Sequence, residues 1–120
     1  MRTFVKSVTF ALRGIRIAFR EERNMRIHDW FAIAALLISV AVGLSAIEFS
    51  LIIISCAMVL CSELINTVFE RFLDSMKPRF SPQHAAMKDM LAASVLIASA
   101  AALCVGALIL IPRIVSWILF

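Results

Sequence analysis

Four polar side chains recur on one face of an apolar segment of this chain. Glu63, Asn66, Glu70 and Asp74 lie within CSELINTVFERFLD at intervals of three, four and four residues, a spacing that places side chains on one face of a helix. A charged side chain in hydrocarbon costs at least about 2.5 kcal/mol on insertion scales. Carboxylates in such a segment therefore indicate a site, and beside an amide they suit proton transfer or the binding of a hard cation such as Mg²⁺.

The rest of the chain indicates that this segment lies in a membrane. The sequence has 120 residues and 62% hydrophobic content, too much apolar surface for a water-soluble core of that size. Three stretches are long enough to cross about 30 Å of hydrocarbon at about 1.5 Å per residue, namely 30–47, 49–72 and 90–112. We expect an all-α integral membrane protein that forms one domain over residues 1–120.

An amphipathic segment precedes the first predicted span. Over residues 2–20, apolar side chains such as Phe4, Val8 and Leu12 alternate at helical spacing with basic ones such as Lys6 and Arg13. This pattern predicts a surface helix whose basic side contacts anionic lipid headgroups.

The basic residues predict the orientation of the spans. They cluster before the first span and around the connection between the second and third, whereas the connection near Glu48 has none. The positive-inside rule then places the N-terminus in the cytoplasm and the C-terminus outside a bacterial inner membrane. The net charge of +4 follows from these membrane-flanking residues, so we expect no nucleic-acid partner. Cys56, Cys61 and Cys104 lack CxxC spacing and are expected to be buried hydrophobic residues.

Two further polar clusters lie at the cytoplasmic ends of the predicted spans. The first cluster comprises Glu21, Glu22, Asn24, Arg26 and His28 before the first span, and the second comprises Lys88 and Asp89 at the start of the third. Lys and Arg near these ends would neutralise phosphate oxygens. No GxxxxGK[ST] or GxGxxG loop is present, so metal and side chains would have to hold any nucleotide. Elsewhere, residues 74–81 are predicted to form a loop, and a stripe of small residues from Ser94 to Gly106 predicts helix packing in the third span.

These motifs resemble the prokaryotic diacylglycerol kinase family, especially its undecaprenol kinase branch. The resemblance rests on FREERNMRIH at 19–28, ELINTVFE at 63–70, Asp74, and KDMLAASVLIA at 88–98. It extends from about residue 4 to 112 without a gap. It implies a homotrimer of three-span protomers and the ATP- and Mg²⁺-dependent phosphorylation of a lipid hydroxyl.

The resemblance also implies roles for individual residues. Glu63 matches the general base and Glu22 and Glu70 match the metal-binding carboxylates, while Asn66, Lys88 and Asp89 match the nucleotide and active-site shell. Arg26 is a further candidate to offset phosphate charge. Phe10 stands where some members have a tyrosine near the nucleotide, so its ring is a candidate for adenine stacking. His28 replaces a second acidic residue, and this ERNMRIH form is similar to the undecaprenol kinase branch.

Other interpretations of the same residues stay open. Asn66 would also serve as packing glue between helices, and Lys88 as an interfacial residue that extends toward water. A small proton-coupled exporter would likewise use an intramembrane Glu63, although the polar face reaches only one side of the membrane. A noncatalytic assembly factor is disfavoured by the concentration of acidic and amide groups where polar burial is costly.

Overall fold

The protein consists of four helices, as seen in a computed structural model that describes residues 2–76 and 82–119. They are α1 (Arg2–Glu21), α2 (Arg23–Ala41), α3 (Ala46–Ser75) and α4 (Pro82–Leu119). The all-α prediction is confirmed, and α1 coincides with the predicted surface helix. Most of the predicted loop at 74–81 lies outside the described residues, including Lys77 and Arg79.

Two of these helices, α3 and α4, are long and apolar enough to cross a membrane by length and composition. The first predicted span, 30–47, is not one of them. Its helix, α2, begins with the polar sequence RNMRIHD, which lowers the mean hydropathy. The helices and the family match reported below point to a membrane protein.

The sequence predicted the connection between α2 and α3 near Glu48. The structure places this turn several residues earlier, at 42–45. Gly43 adopts a positive φ of 66°, a conformation that only glycine enters at no steric cost. Ser45 then caps α3, because its side chain accepts from the Glu48 backbone while the Glu48 carboxylate accepts from the Ser45 backbone. This capping box sets the start of α3 at Ala46.

Helix α4 is longer than the predicted span 90–112 at both ends. Pro82 stands at its first position, where a missing N–H costs nothing, and the helix continues through Pro112 to Leu119. Immediately after that proline, Arg113 Nη2 donates to Glu48 Oε2 at 2.9 Å. This ion pair holds the end of α4 against the start of α3.

Helix α3 lies between α2 and α4 and packs against both, while α1 packs against α2. The interior is small and unusually polar. Its apolar members are Ala18, Met25, Ile52, Val59, Leu73 and Ala98, and its polar members are Ser39, Glu63, Asn66 and Thr67. Among the residues that the structure describes, three of the four buried polar side chains belong to α3, so this helix positions the site.

Candidate active site

Glu63 lies in the interior of the protomer, near the middle of α3. The residue is only 3% exposed, because this face of α3 is covered by its neighbours. His28 of α2 is its partner, with Nε2 lying 3.9 Å from Glu63 Oε2. A carboxylate placed beside an imidazole and shielded from water is suited to accept a proton.

Asn66 follows Glu63 by one helical turn and is also buried, with 6% exposure. Its Oδ1 atom has no hydrogen-bond partner within the described part of the chain. A buried acceptor without a donor costs about 1–3 kcal/mol. The amide is therefore available to a ligand that supplies a donor, on the same face as the Glu63 carboxylate.

Glu22 lies at the junction of α1 and α2, where it is the residue that precedes the first turn of α2. Its Oε1 atom accepts from Nε of Arg71 at 3.2 Å and from Nη2 of the same side chain. Arg71 Nη1 donates to Glu21 Oε2 at 2.8 Å. The Arg71 guanidinium thus connects α3 to the two acidic residues at the junction.

Glu70 stands next to Arg71 on α3 and is half-buried. It makes no hydrogen bond or ion pair with the residues that the structure describes. Glu70 follows Glu63 by two helical turns on the same face of α3, and Arg71 joins Glu22 to this part of α3. The fold therefore assembles three carboxylates from two helix regions, with Arg71 and His28 as their nearby basic groups.

Lys88 lies in the second turn of α4 and contacts the end of α3. Its Nζ donates to Asp74 Oδ1 at 2.6 Å, which joins the cytoplasmic ends predicted for the second and third spans. Asp89, the next residue, is exposed. The expected meeting of α3 and α4 at this depth is present, and a nucleotide role for Lys88 or Asp89 stays a prediction.

Arg26 and Phe10 make contacts outside this cluster. The Arg26 guanidinium donates to the backbone oxygens of Arg20, at 3.0 Å, and Phe19, at 3.3 Å, and so satisfies carbonyl groups at the end of α1. Phe10 is 62% exposed, and Arg13 lies over its ring at 5.8 Å from the centroid. A contact of the Phe10 ring with a nucleotide stays a prediction.

Two carboxylates fit a metal whose remaining coordination positions are filled by water or by a substrate phosphate. Among the described residues, no group of three or more His, Cys, Asp or Glu side chains is arranged to hold a metal ion. Mg²⁺ is usually bound by one or two carboxylates together with substrate phosphates and water. Glu22 and Glu70 are the two carboxylates to which the resemblance assigns this role.

An apolar groove leads away from this site between α2 and α4. It encloses about 500 Å³ and begins at His28. Phe31, Val59 and Leu103 line it, as do Ala102 and Gly106 from the predicted stripe of small residues. Its walls suit a hydrocarbon chain or another helix.

Two contacts of the site are not evident from the sequence, that of Arg71 with Glu22 and that of His28 with Glu63. His28 belongs to the polar cluster before the first predicted span, but its spacing from Glu63 gives no sign of their contact. Arg71 is separated from Glu22 by 49 residues, so helical spacing gives no sign of their contact. The adjacency of Arg71 to Glu70 was the available signal.

Comparison with known proteins agrees with the resemblance seen in the motifs. The family model for prokaryotic diacylglycerol kinase matches residues 9–110, which include Glu22, Glu63, Glu70 and Lys88. A diacylglycerol kinase from Synechocystis sp. is 31% identical over 111 residues, corresponding to 92% of this chain and 63% of that relative. The chain thus spans less than two thirds of the relative's length. With its helical site and this match over most of its residues, the chain belongs to the prokaryotic diacylglycerol kinase family.

Proposed function

We propose that this chain is a lipid kinase that transfers the γ-phosphoryl group of ATP to the hydroxyl of a membrane lipid. The observation that carries this proposal is the buried Glu63 carboxylate, which lies beside His28. One turn away, the Asn66 oxygen accepts no hydrogen bond from any residue that the structure describes. Membership of the diacylglycerol kinase family supports the reaction class. The reaction takes place at the cytoplasmic face of a bacterial inner membrane, which both substrates can reach.

In this proposal Glu63 is the general base. Its carboxylate accepts the proton of the lipid hydroxyl as the hydroxyl oxygen attacks the γ-phosphorus in line. The bond to the β–γ bridging oxygen of ATP breaks, and ADP leaves. No covalent enzyme intermediate forms, because the lipid's own oxygen is the nucleophile. His28 orients the Glu63 carboxylate, and the Asn66 amide oxygen accepts from the lipid or the nucleotide.

Glu22 and Glu70 are the proposed ligands of Mg²⁺. Bound there with the nucleotide, Mg²⁺ would supply positive charge that offsets the charge of the phosphates. Lys88 and Arg26 add positive charge on the protein's side, for which each must exchange its present contact for a phosphate oxygen. Asp89 completes the polar shell, and the Phe10 ring is the proposed stacking surface for adenine.

The lipid is proposed to be undecaprenol in preference to diacylglycerol. The ERNMRIH form at 22–28 supports this choice, since it is similar to the undecaprenol kinase branch. The protomer is proposed to span the membrane three times, with its N-terminus in the cytoplasm and its C-terminus outside, and to assemble as a homotrimer. Anionic headgroups would hold α1 at the surface.

The transfer of labelled γ-phosphate from ATP tests this proposal. The purified protein in detergent micelles is given Mg²⁺ and either undecaprenol or diacylglycerol, and labelled lipid is extracted and counted. We expect faster labelling of undecaprenol, and loss of labelling when EDTA is added. Labelling of neither lipid would contradict the proposal. Proton-driven substrate uptake into liposomes without ATP consumption would instead identify the alternative, an exporter that uses Glu63.

A further inference from the structure

The Arg71 guanidinium occupies a carboxylate that the proposed reaction requires. Two of its nitrogens, Nε and Nη2, donate to one oxygen of Glu22, and its third nitrogen donates to Glu21. Arg71 thus uses all its nitrogens on the acidic residues at the junction of α1 and α2. A cation that binds through the same Glu22 oxygen has to compete with it.

The position of Arg71 along α3 strengthens this conflict. It directly follows Glu70, the other proposed metal ligand. A positive charge near Glu22 and Glu70 reduces the repulsion between their carboxylates. A divalent ion at Glu22 and Glu70 would do the same and would be repelled by the guanidinium.

We propose that Arg71 is the resident counter-ion of Glu22, and that a divalent metal displaces it when the metal binds. This inference rests on the proposed function, because it takes Glu22 and Glu70 as the metal ligands. Arg71 is a positioning residue that acts through Glu22. It holds the acidic junction against α3 before the metal arrives and weakens the metal's binding until nucleotide phosphates add to the site.

Binding of Mn²⁺ alone, followed by electron paramagnetic resonance of the free ion, tests this role without any turnover. The full chain is compared with Arg71→Gln and Arg71→Lys in an uncharged detergent. Exposed ion pairs are individually weak, so Arg71→Gln is expected to bind Mn²⁺ about two- to tenfold more tightly. Arg71→Lys keeps the positive charge and is expected to bind like the original protein.

Arg113→Gln is the matched control. It removes an arginine that also donates twice to one glutamate oxygen, in this case Oε1 of Glu48. This ion pair joins α3 and α4 at the ends that lie away from Arg71. We expect no change in Mn²⁺ binding. Circular dichroism establishes that each variant retains its helices, and Arg71→Met replaces Arg71→Gln if the latter does not.

The possible results separate this inference from the proposed function. Unchanged or weaker Mn²⁺ binding in the Arg71→Gln variant would overturn the counter-ion role, as would an equal gain in Arg113→Gln. If none of the proteins bound Mn²⁺ saturably while lipid phosphorylation persisted, the metal ligands and the Arg71 role would both be refuted but the kinase would stand. If the original protein bound Mn²⁺ tightly but phosphorylated no lipid, the proposed kinase activity alone would be refuted.

Discussion

Asn66 presents a buried oxygen that no described group satisfies. Replacing Asn66 with Leu removes this unsatisfied acceptor, a group that costs about 1–3 kcal/mol when buried. We expect Asn66→Leu to unfold at the same or a higher temperature in detergent, whereas phosphoryl transfer falls at least about tenfold, as for a lost ligand contact worth about 1.4 kcal/mol.

The control for this substitution is Gln83→Leu, which removes an exposed amide from the start of α4. It should change neither property appreciably. Normal turnover in Asn66→Leu combined with a lower unfolding temperature would mean that Asn66 serves only to pack helices.

At the residue scale, the sequence predicted what a single helix determines. The spacing of Glu63, Asn66 and Glu70 correctly placed them on one face, since helical geometry fixes such neighbours. It did not predict that His28 lies 3.9 Å from Glu63 or that Arg71 pairs with Glu22. Those contacts depend on how α1, α2 and α3 pack, which no local pattern specifies.

At the element scale, the α2–α3 turn depends on the backbone of Gly43. Its φ of 66° is strained for residues with a Cβ atom, at a cost of roughly 1–2 kcal/mol. We therefore expect Gly43→Ala to lower the free energy of unfolding by about 1 kcal/mol, as measured by denaturant titration in mixed micelles. The added methyl group meets no atom within 4 Å, so the effect comes from the backbone.

Gly14→Ala is the matched control, because Gly14 lies inside α1 and its added Cβ also meets nothing within 4 Å. Alanine is preferred to glycine in a helix by about 1 kcal/mol, so this variant should be equally or more stable. Equal destabilisation by both substitutions would show that the turn conformation is not the cause.

The ends of the helices were harder to predict than their existence. Val42 and Leu44 continue the apolar run through the turn, so hydrophobicity alone extended the first span to Ile47. The capping box of Ser45 and Glu48 was the local sign of the boundary. Pro112 misled in the opposite direction, because transmembrane helices tolerate proline and Arg113 secures the following turn to Glu48.

At the scale of the whole molecule, a protomer leaves most of its apolar surface uncovered. Leu96, Leu103 and Leu108 on α4 are each at least 70% exposed, and little of the apolar stretch of α4 is buried within the chain. Lipid or further copies of the chain must cover these side chains. Composition predicted this outcome, whereas the number of copies follows from the family resemblance alone.

We expect a homotrimer in mild detergent. Native mass spectrometry should give three times the 13.3 kDa mass of the chain. The preparation that gives this mass should also phosphorylate lipid. A preparation that gives only the mass of one chain and retains full activity would contradict the trimer. The site would then be complete within one protomer.

The proposed reaction depends on proton acceptance by Glu63, and the rate of γ-phosphoryl transfer by the Glu63→Gln variant measures that role. Glutamine keeps the size of the side chain but is a far weaker base, so transfer should fall by at least about a hundredfold, while the oligomer and its unfolding temperature stay unchanged. Glu48→Gln, at the other end of α3, should retain most of the original rate. Near-normal transfer by Glu63→Gln would contradict the account.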